Sequence, residues 1–181
     1  VTASTTNLLN AAGSSSSGEE LTGVASQPKV KSIPDKGKVL NISSEIKEYK
    51  DSRTGARVRR LTGDGSTNVH PYFTSWGFVG NGSDNVILVS NSSGAYQWYL
   101  LEVPTGKLVQ LTAGEKLSPN MACVARNGIL YYFDGLTLRS VRTDTLEDHE
   151  LYKVPAGYKP ALPTCSADGN YIAFAYIQET N

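Results

Sequence analysis

Gly128-Ile-Leu-Tyr-Tyr-Phe-Asp134 decides the fold, because the chain carries two further versions of it. Asn85-Val-Ile-Leu-Val-Ser-Asn91 comes before it and Tyr171-Ile-Ala-Phe-Ala-Tyr176 after it. Val86 and Ile129 are 43 positions apart, and so are Ile129 and Ile172. Each run has the length and composition of a buried strand. A period of about 40–50 residues built from short strands predicts β-propeller blades. A ring closes with about 4–8 blades, and this chain holds about three. The expectation is therefore an all-β, incomplete propeller that forms the N-terminal part of a larger protein.

A second repeat runs in step with the first. It reads Asp51-Ser-Arg-Thr-Gly-Ala-Arg-Val-Arg-Arg-Leu-Thr62, Glu102-Val-Pro-Thr-Gly-Lys-Leu-Val-Gln-Leu-Thr112 and Arg142-Thr-Asp-Thr-Leu-Glu-Asp-His-Glu-Leu-Tyr152. Each copy is a turn followed by a strand. Thr54-Gly55 and Thr105-Gly106 supply the turn, since glycine reaches positive φ without steric cost. The greater polarity of the first and third copies suits an outer, exposed strand.

Moving outward, the blades begin near Val39. One strand is expected around Tyr49 and Asp51–Thr62, with its partners in sequence beyond this chain. The first blade is predicted as strands 72–79, 86–91, 96–103 and 107–112. The second is predicted as 121–125, 129–133, 137–143 and 147–152, and the third starts near Pro160. Residues 1–38 read differently. Ala11-Ala-Gly-Ser-Ser-Ser-Ser-Gly18 has linker composition, and Thr6–Asn10 suffices for a brief helical turn at most. The expected division is a flexible low-complexity segment, 1–38, and propeller blades, 39–181.

Composition excludes several function classes. Seventeen basic and seventeen acidic residues cancel, so the chain lacks the basic footprint of a nucleic-acid binder. No apolar run approaches the roughly 18 residues of a membrane span. Cys123 and Cys165 fall at nearly the same phase of successive repeats, on neighbouring blades, and read as two free thiols. Compartment stays open, cytoplasmic or periplasmic for a bacterial enzyme.

Two resemblances to known propellers are carried by the sequence. Ser166-Ala-Asp-Gly-Asn-Tyr-Ile-Ala-Phe174 is similar to the repeat of TolB-type, WD40-like propellers, with Asp168-Gly169 as its tight turn. The longer resemblance is to oligogalacturonate lyases. It is carried by Tyr49–Thr62, by Tyr99-Leu-Leu-Glu-Val-Pro-Thr-Gly-Lys-Leu-Val-Gln-Leu-Thr-Ala-Gly114 and by Leu138-Arg-Ser-Val-Arg-Thr-Asp-Thr-Leu-Glu147, and spans roughly residues 45–180. Val69-His-Pro-Tyr-Phe73 is similar to a His-containing family segment but one residue shorter. The resemblance implies a seven-bladed propeller that binds a divalent metal, manganese, and cleaves pectin-derived oligogalacturonides by β-elimination. The family's metal-binding histidines and catalytic base lie in later blades and match no position here. Catalytic residues therefore remain unassigned, no metal ligand is assigned in this chain, and these residues alone are expected to be inactive.

β-Elimination from a uronate needs a base for the proton beside the carboxylate, a cation to neutralise that carboxylate, and an acid or water for the leaving oxygen. The two histidines, His70 and His149, lie at different phases of the repeat and are not expected to meet. Alignment of phases places His70, Asn120 and Lys159 on loops leading into the innermost strands, with Tyr72 and Tyr158 beside them. These five residues are the candidate grip on an acidic sugar: Lys159 for a carboxylate, Asn120 for hydroxyls, a tyrosine against the ring face. The alternative is that they satisfy turns and caps. Trp76 and Trp98 read as blade packing, His149 as a solvated outer-strand residue, and Arg57, Arg59 and Arg60 as an exposed face.

The function expected from the sequence is part of an oligogalacturonate-lyase-like enzyme whose catalytic blades lie elsewhere. Its rivals are a non-enzymatic TolB-type protein-binding propeller and the gating propeller of a serine peptidase. Gly-x-Ser-x-Gly is absent from the sequence.

Overall fold

The structure, a computed structural model, describes residues 5–10, 36–80 and 84–179. In chain order its strands are β1 (Thr5–Asn10), β2 (Val39–Asn41), β3 (Lys47–Lys50), β4 (Arg57–Arg60), β5 (Asn68–Val69), β6 (Phe78–Val79), β7 (Asn85–Ser90), β8 (Gln97–Glu102), β9 (Lys107–Gln110), β10 (Leu117–Val124), β11 (Ile129–Asp134), β12 (Thr137–Arg142), β13 (Asp148–Lys153), β14 (Tyr158–Cys165) and β15 (Tyr171–Gln178). All pairings are antiparallel.

The sheets follow the predicted blades. The first runs β2-β9-β8-β7, with β5 and β6 both paired to β7. The second is β10-β11-β12-β13, and the third β1-β15-β14. β3 and β4 make a separate hairpin. Short connections and strictly up-and-down order are what a propeller blade requires.

Two local expectations are corrected. Of the predicted inner strand 72–79 only Phe78–Val79, β6, pairs with β7, and the other pairing to β7 on this side, β5, lies ahead of it at Asn68–Val69. Pro71 has no N–H to give a ladder, and Ser75 N–H turns back to the Tyr72 carbonyl at 2.8 Å. The chain rejoins β7 where Ile87 N–H donates to Gly77 O at 2.8 Å. Thr6–Asn10 is not a helical turn but part of β1, which lies along β15 from Thr5↔Tyr176 to Asn10↔Tyr171. Six residues cannot nucleate a stable helix, whereas the edge of β15 offers a complete ladder. The rest of the expected flexible segment, residues 1–4 and 11–35, lies outside the described residues.

The apolar runs are unbroken because the central strands bury both faces. Ile87 and Val89 of β7 meet Leu130 and Tyr132 of β11 in the core between the first two blades, which Trp98, Leu111, Ala122, Val124 and Val141 complete. The opposite face of β11, Tyr131 and Phe133, joins Cys123, Leu138, Val154, Ile172 and Phe174 between the second and third blades. Phe133 meets Phe174 edge-on at 5.4 Å. The outward face of the first blade packs Leu88, Tyr99, Leu101 and Leu108 beneath Leu40, Ile42 and Leu61. Each Leu-sized side chain buried this way contributes about 1.5–3 kcal/mol.

Gly106 has φ +72°, and a Cβ there would meet the Ser43 backbone at 2.6 Å. The Thr105-Gly106 turn therefore seats the 3-10 turn Ser43–Glu45 against the first blade. Ahead of it, Lys36 Nζ lies 3.3 Å from Asp148 of the second blade, so the strap 36–41 ties two blades together.

Candidate functional site

Each blade presents one free-edged strand on the inner side of its sheet: β5 with β6, β10, and β14. In a propeller these strands line the central axis. All three are irregular here. The first departs from its sheet over residues 70–77. The second shifts register between Leu117 and Ala122, and the third between Ala161 and Thr164. Such interruptions re-aim side chains and are frequent beside functional sites.

All five candidate residues sit at these interruptions or on these strands. His70 is exposed at the start of the 70–77 excursion, with Nδ1 against the Pro71 carbonyl. Tyr72 follows, its ring 4.3 Å from Phe73. Asn120 is exposed within the interrupted part of β10. Tyr158 and Lys159 begin β14, opposite Gln178 and Ile177. The Tyr158 ring packs edge-on to Tyr176 at 5.2 Å, while Lys159 is exposed. No hydrogen bond among the described residues joins any of the five to another.

His149 lies on β13 in the outer part of the second blade and pairs with Glu147 at 3.0 Å. Among the described residues no three His, Cys, Asp or Glu side chains gather to hold a metal ion. The donor set on these blades does not fit a manganese centre.

The packing between the second and third blades brings the two cysteines together. Cys123 is buried and Cys165 half-buried, and both are free. The neighbouring Cys165 thiol and burial raise Cys123 well above its ordinary value, while the neighbouring Cys123 thiol lowers Cys165. Beside them Tyr131 donates to Gly169 O at 2.8 Å, and burial pushes its phenol up to about 12.

One feature of the inner edge was missed in the sequence. Trp98 is fully buried, as expected of blade packing, but Trp76 is 48% exposed. The Arg126 guanidinium, from the β10–β11 turn, lies 4.0 Å from the Trp76 ring centroid. Phe73, on the same excursion, is 75% exposed. A cavity of about 540 Å³ lies elsewhere, along the β3–β4 hairpin between Glu48, Tyr49, Arg57 and Arg59.

Comparison with known proteins gives this scaffold its family. Residues 35–171 match the sequence model of a family described as oligogalacturonate lyase. The chain belongs to the oligogalacturonate lyase family. Among solved structures it resembles an oligogalacturonate lyase in complex with manganese, with 28% identity over 80% of this chain and a TM-score of 0.72. It also shares its fold with an oligogalacturonate lyase from Vibrio parahaemolyticus, at 24% identity over 79% of this chain and a TM-score of 0.71. In both cases the chain spans 38% of the length of the solved lyase. No curated protein sequence matches the chain at a significant level. The sheets of this family member are propeller blades, and no helix among the described residues is long and apolar enough to cross a membrane.

Proposed function

We propose that these blades belong to an enzyme that cleaves pectin-derived oligogalacturonides by metal-assisted β-elimination, and that they supply scaffold and substrate contacts rather than the reacting groups. The observation that carries this reading is the family match across residues 35–171, which covers the first two blades and β14 of the third. When bound, a divalent cation, manganese in the solved relative, would neutralise the uronate carboxylate so that the adjacent proton can leave.

The residues of this chain suited to substrate are those on the inner edge. Lys159 is exposed at the start of β14 and offers a cation to a sugar carboxylate; Asn120 and His70 offer hydrogen bonds to hydroxyls. Tyr72 and Tyr158 present ring faces beside them.

The test is a lyase assay on the complete reading frame that carries these residues. Oligogalacturonide is incubated with and without manganese, and the absorbance of the unsaturated uronate product is followed. A manganese-dependent rise is expected. No product at saturating manganese would overturn the reading.

A further inference from the structure

We propose that Trp76 and Arg126 form a second sugar-binding subsite, which takes a uronic-acid unit by stacking it on the indole and pairing its carboxylate with the guanidinium. The choice of ligand rests on the substrate class proposed above; the site itself rests on the geometry. Trp76 belongs to the 70–77 excursion of the first blade, and Arg126 to the β10–β11 turn of the second. The excursion is fixed in place, because Val124 N–H donates to Ser75 Oγ at 2.7 Å. The indole and guanidinium are thus held across a blade junction.

The Arg126 guanidinium carbon lies over the Trp76 ring at 4.0 Å, a separation that gains cation–π attraction and leaves N–H groups of the fork to donate elsewhere. Arg126 is exposed, and among the described residues no carboxylate pairs with it. The neighbouring turn does hold an acid, since Asn127 Nδ2 donates to Asp168 O at 3.3 Å. That carboxylate is engaged by its own turn, accepting from Ser166 Oγ at 2.5 Å and from Asn170 N and Nδ2 at 3.0 and 2.9 Å. The fork is therefore free for a planar anion, which it matches bidentately. Trp76 adds an exposed aromatic surface beside it, suited to the apolar face of a sugar ring. Both blades that form the junction are present, so this exposure is not an unmade contact between them. The balanced net charge argues against a nucleic-acid ligand.

The protein contains a built-in reporter. Of this chain's two tryptophans Trp98 is fully buried, so the part of a ligand-dependent emission change that W76F abolishes reports Trp76. Trigalacturonate, its methyl ester and maltotriose are titrated at equal concentrations. Expected are a saturable emission change with trigalacturonate, at least tenfold weaker binding of the ester, and loss of that preference in R126Q but not in R57Q. Equal responses to acid and ester in the unaltered protein would overturn the proposal, as would an R126Q protein that keeps the preference. Elimination activity with an unchanged Trp76 signal sinks the subsite and leaves the lyase reading standing. An acid-selective Trp76 signal without elimination supports the subsite and sinks the lyase reading.

Discussion

Replacing Asp148 by alanine removes one acceptor from three donors at once. Tyr132 donates its hydroxyl to Oδ2 at 2.8 Å, Arg139 Nε donates to Oδ1 at 3.0 Å, and Lys36 Nζ reaches Oδ2 at 3.3 Å. The Asp148 side chain is 3% exposed, against 19% for Arg139 and 16% for Lys36. Removing one partner of a buried pair costs about 3–5 kcal/mol, because the other charge stays buried without compensation. Arg139 and Lys36 keep some water, and Arg139 has Glu150 at 3.9 Å, so the lower end applies. The unsatisfied Tyr132 hydroxyl adds about 1 kcal/mol. D148A should therefore lose about 4 kcal/mol, with most of the loss from Arg139. Urea unfolding at matched protein concentration measures it, with the denaturant slope checked to be unchanged. The double variant D148L/R139M replaces the pair with apolar groups of similar size and should recover most of the loss. A loss below about 1 kcal/mol in D148A would refute the reasoning, because a surface pair is worth that little. So would a double variant as unstable as the single one.

Two further outcomes follow from the packing. Gly55 and Gly106 occupy the same place in the turn repeat, and both have φ +72°, but a Cβ on Gly55 meets nothing within 4 Å while one on Gly106 meets the Ser43 backbone at 2.6 Å. G55A should cost about 1–2 kcal/mol from its left-handed backbone alone; G106A should cost clearly more in the same urea titration, and equal losses would show that Ser43 simply moves aside. The two thiols should titrate apart: Cys165, lowered by the neighbouring Cys123 thiol, is alkylated with a pH midpoint below the ordinary thiol value of about 8.5, while buried Cys123 reacts only after unfolding. The sign follows from the thiolate being the nucleophile, so a lowered value moves reactivity to lower pH. Iodoacetamide labelling read by mass spectrometry checks this, and C123A, which removes the neighbouring thiol, should move the Cys165 midpoint upward; an unchanged profile would count against its influence.

The parts of the fold that were legible in the sequence are those whose side chains pack between blades. Ile129–Asp134 was legible because Leu130 and Tyr132 bury against one blade and Tyr131 and Phe133 against the next, which leaves an unbroken apolar run. The placement of Cys123 and Cys165 on neighbouring blades was legible from the repeat; they meet in one core because they are one residue out of phase, Cys165 standing where the second blade has Val124. The inner strands follow another rule. They are buried only in part: in β10, Ala122, Cys123 and Val124 are buried in the cores while Leu117–Met121 are half-buried or exposed, and of 72–79, read as a strand, only Phe78–Val79 forms one. Trp76 and Trp98 are the same residue type, and composition gave them the same role. What separates them is that Trp98 lies on β8, opposite Val89, whereas Trp76 lies on the excursion that Pro71 releases from the ladder. A lapse in strand pattern next to turn-forming residues is thus informative in itself. The excursion at 70–77 and the register shifts in β10 and β14 are where the scaffold gives up ladder hydrogen bonds. They are also where His70, Asn120, Trp76 and the partner of Trp76, Arg126, come to the inner edge or lie directly beside it. In this family member the weakest part of the repeat is the part to mutate first.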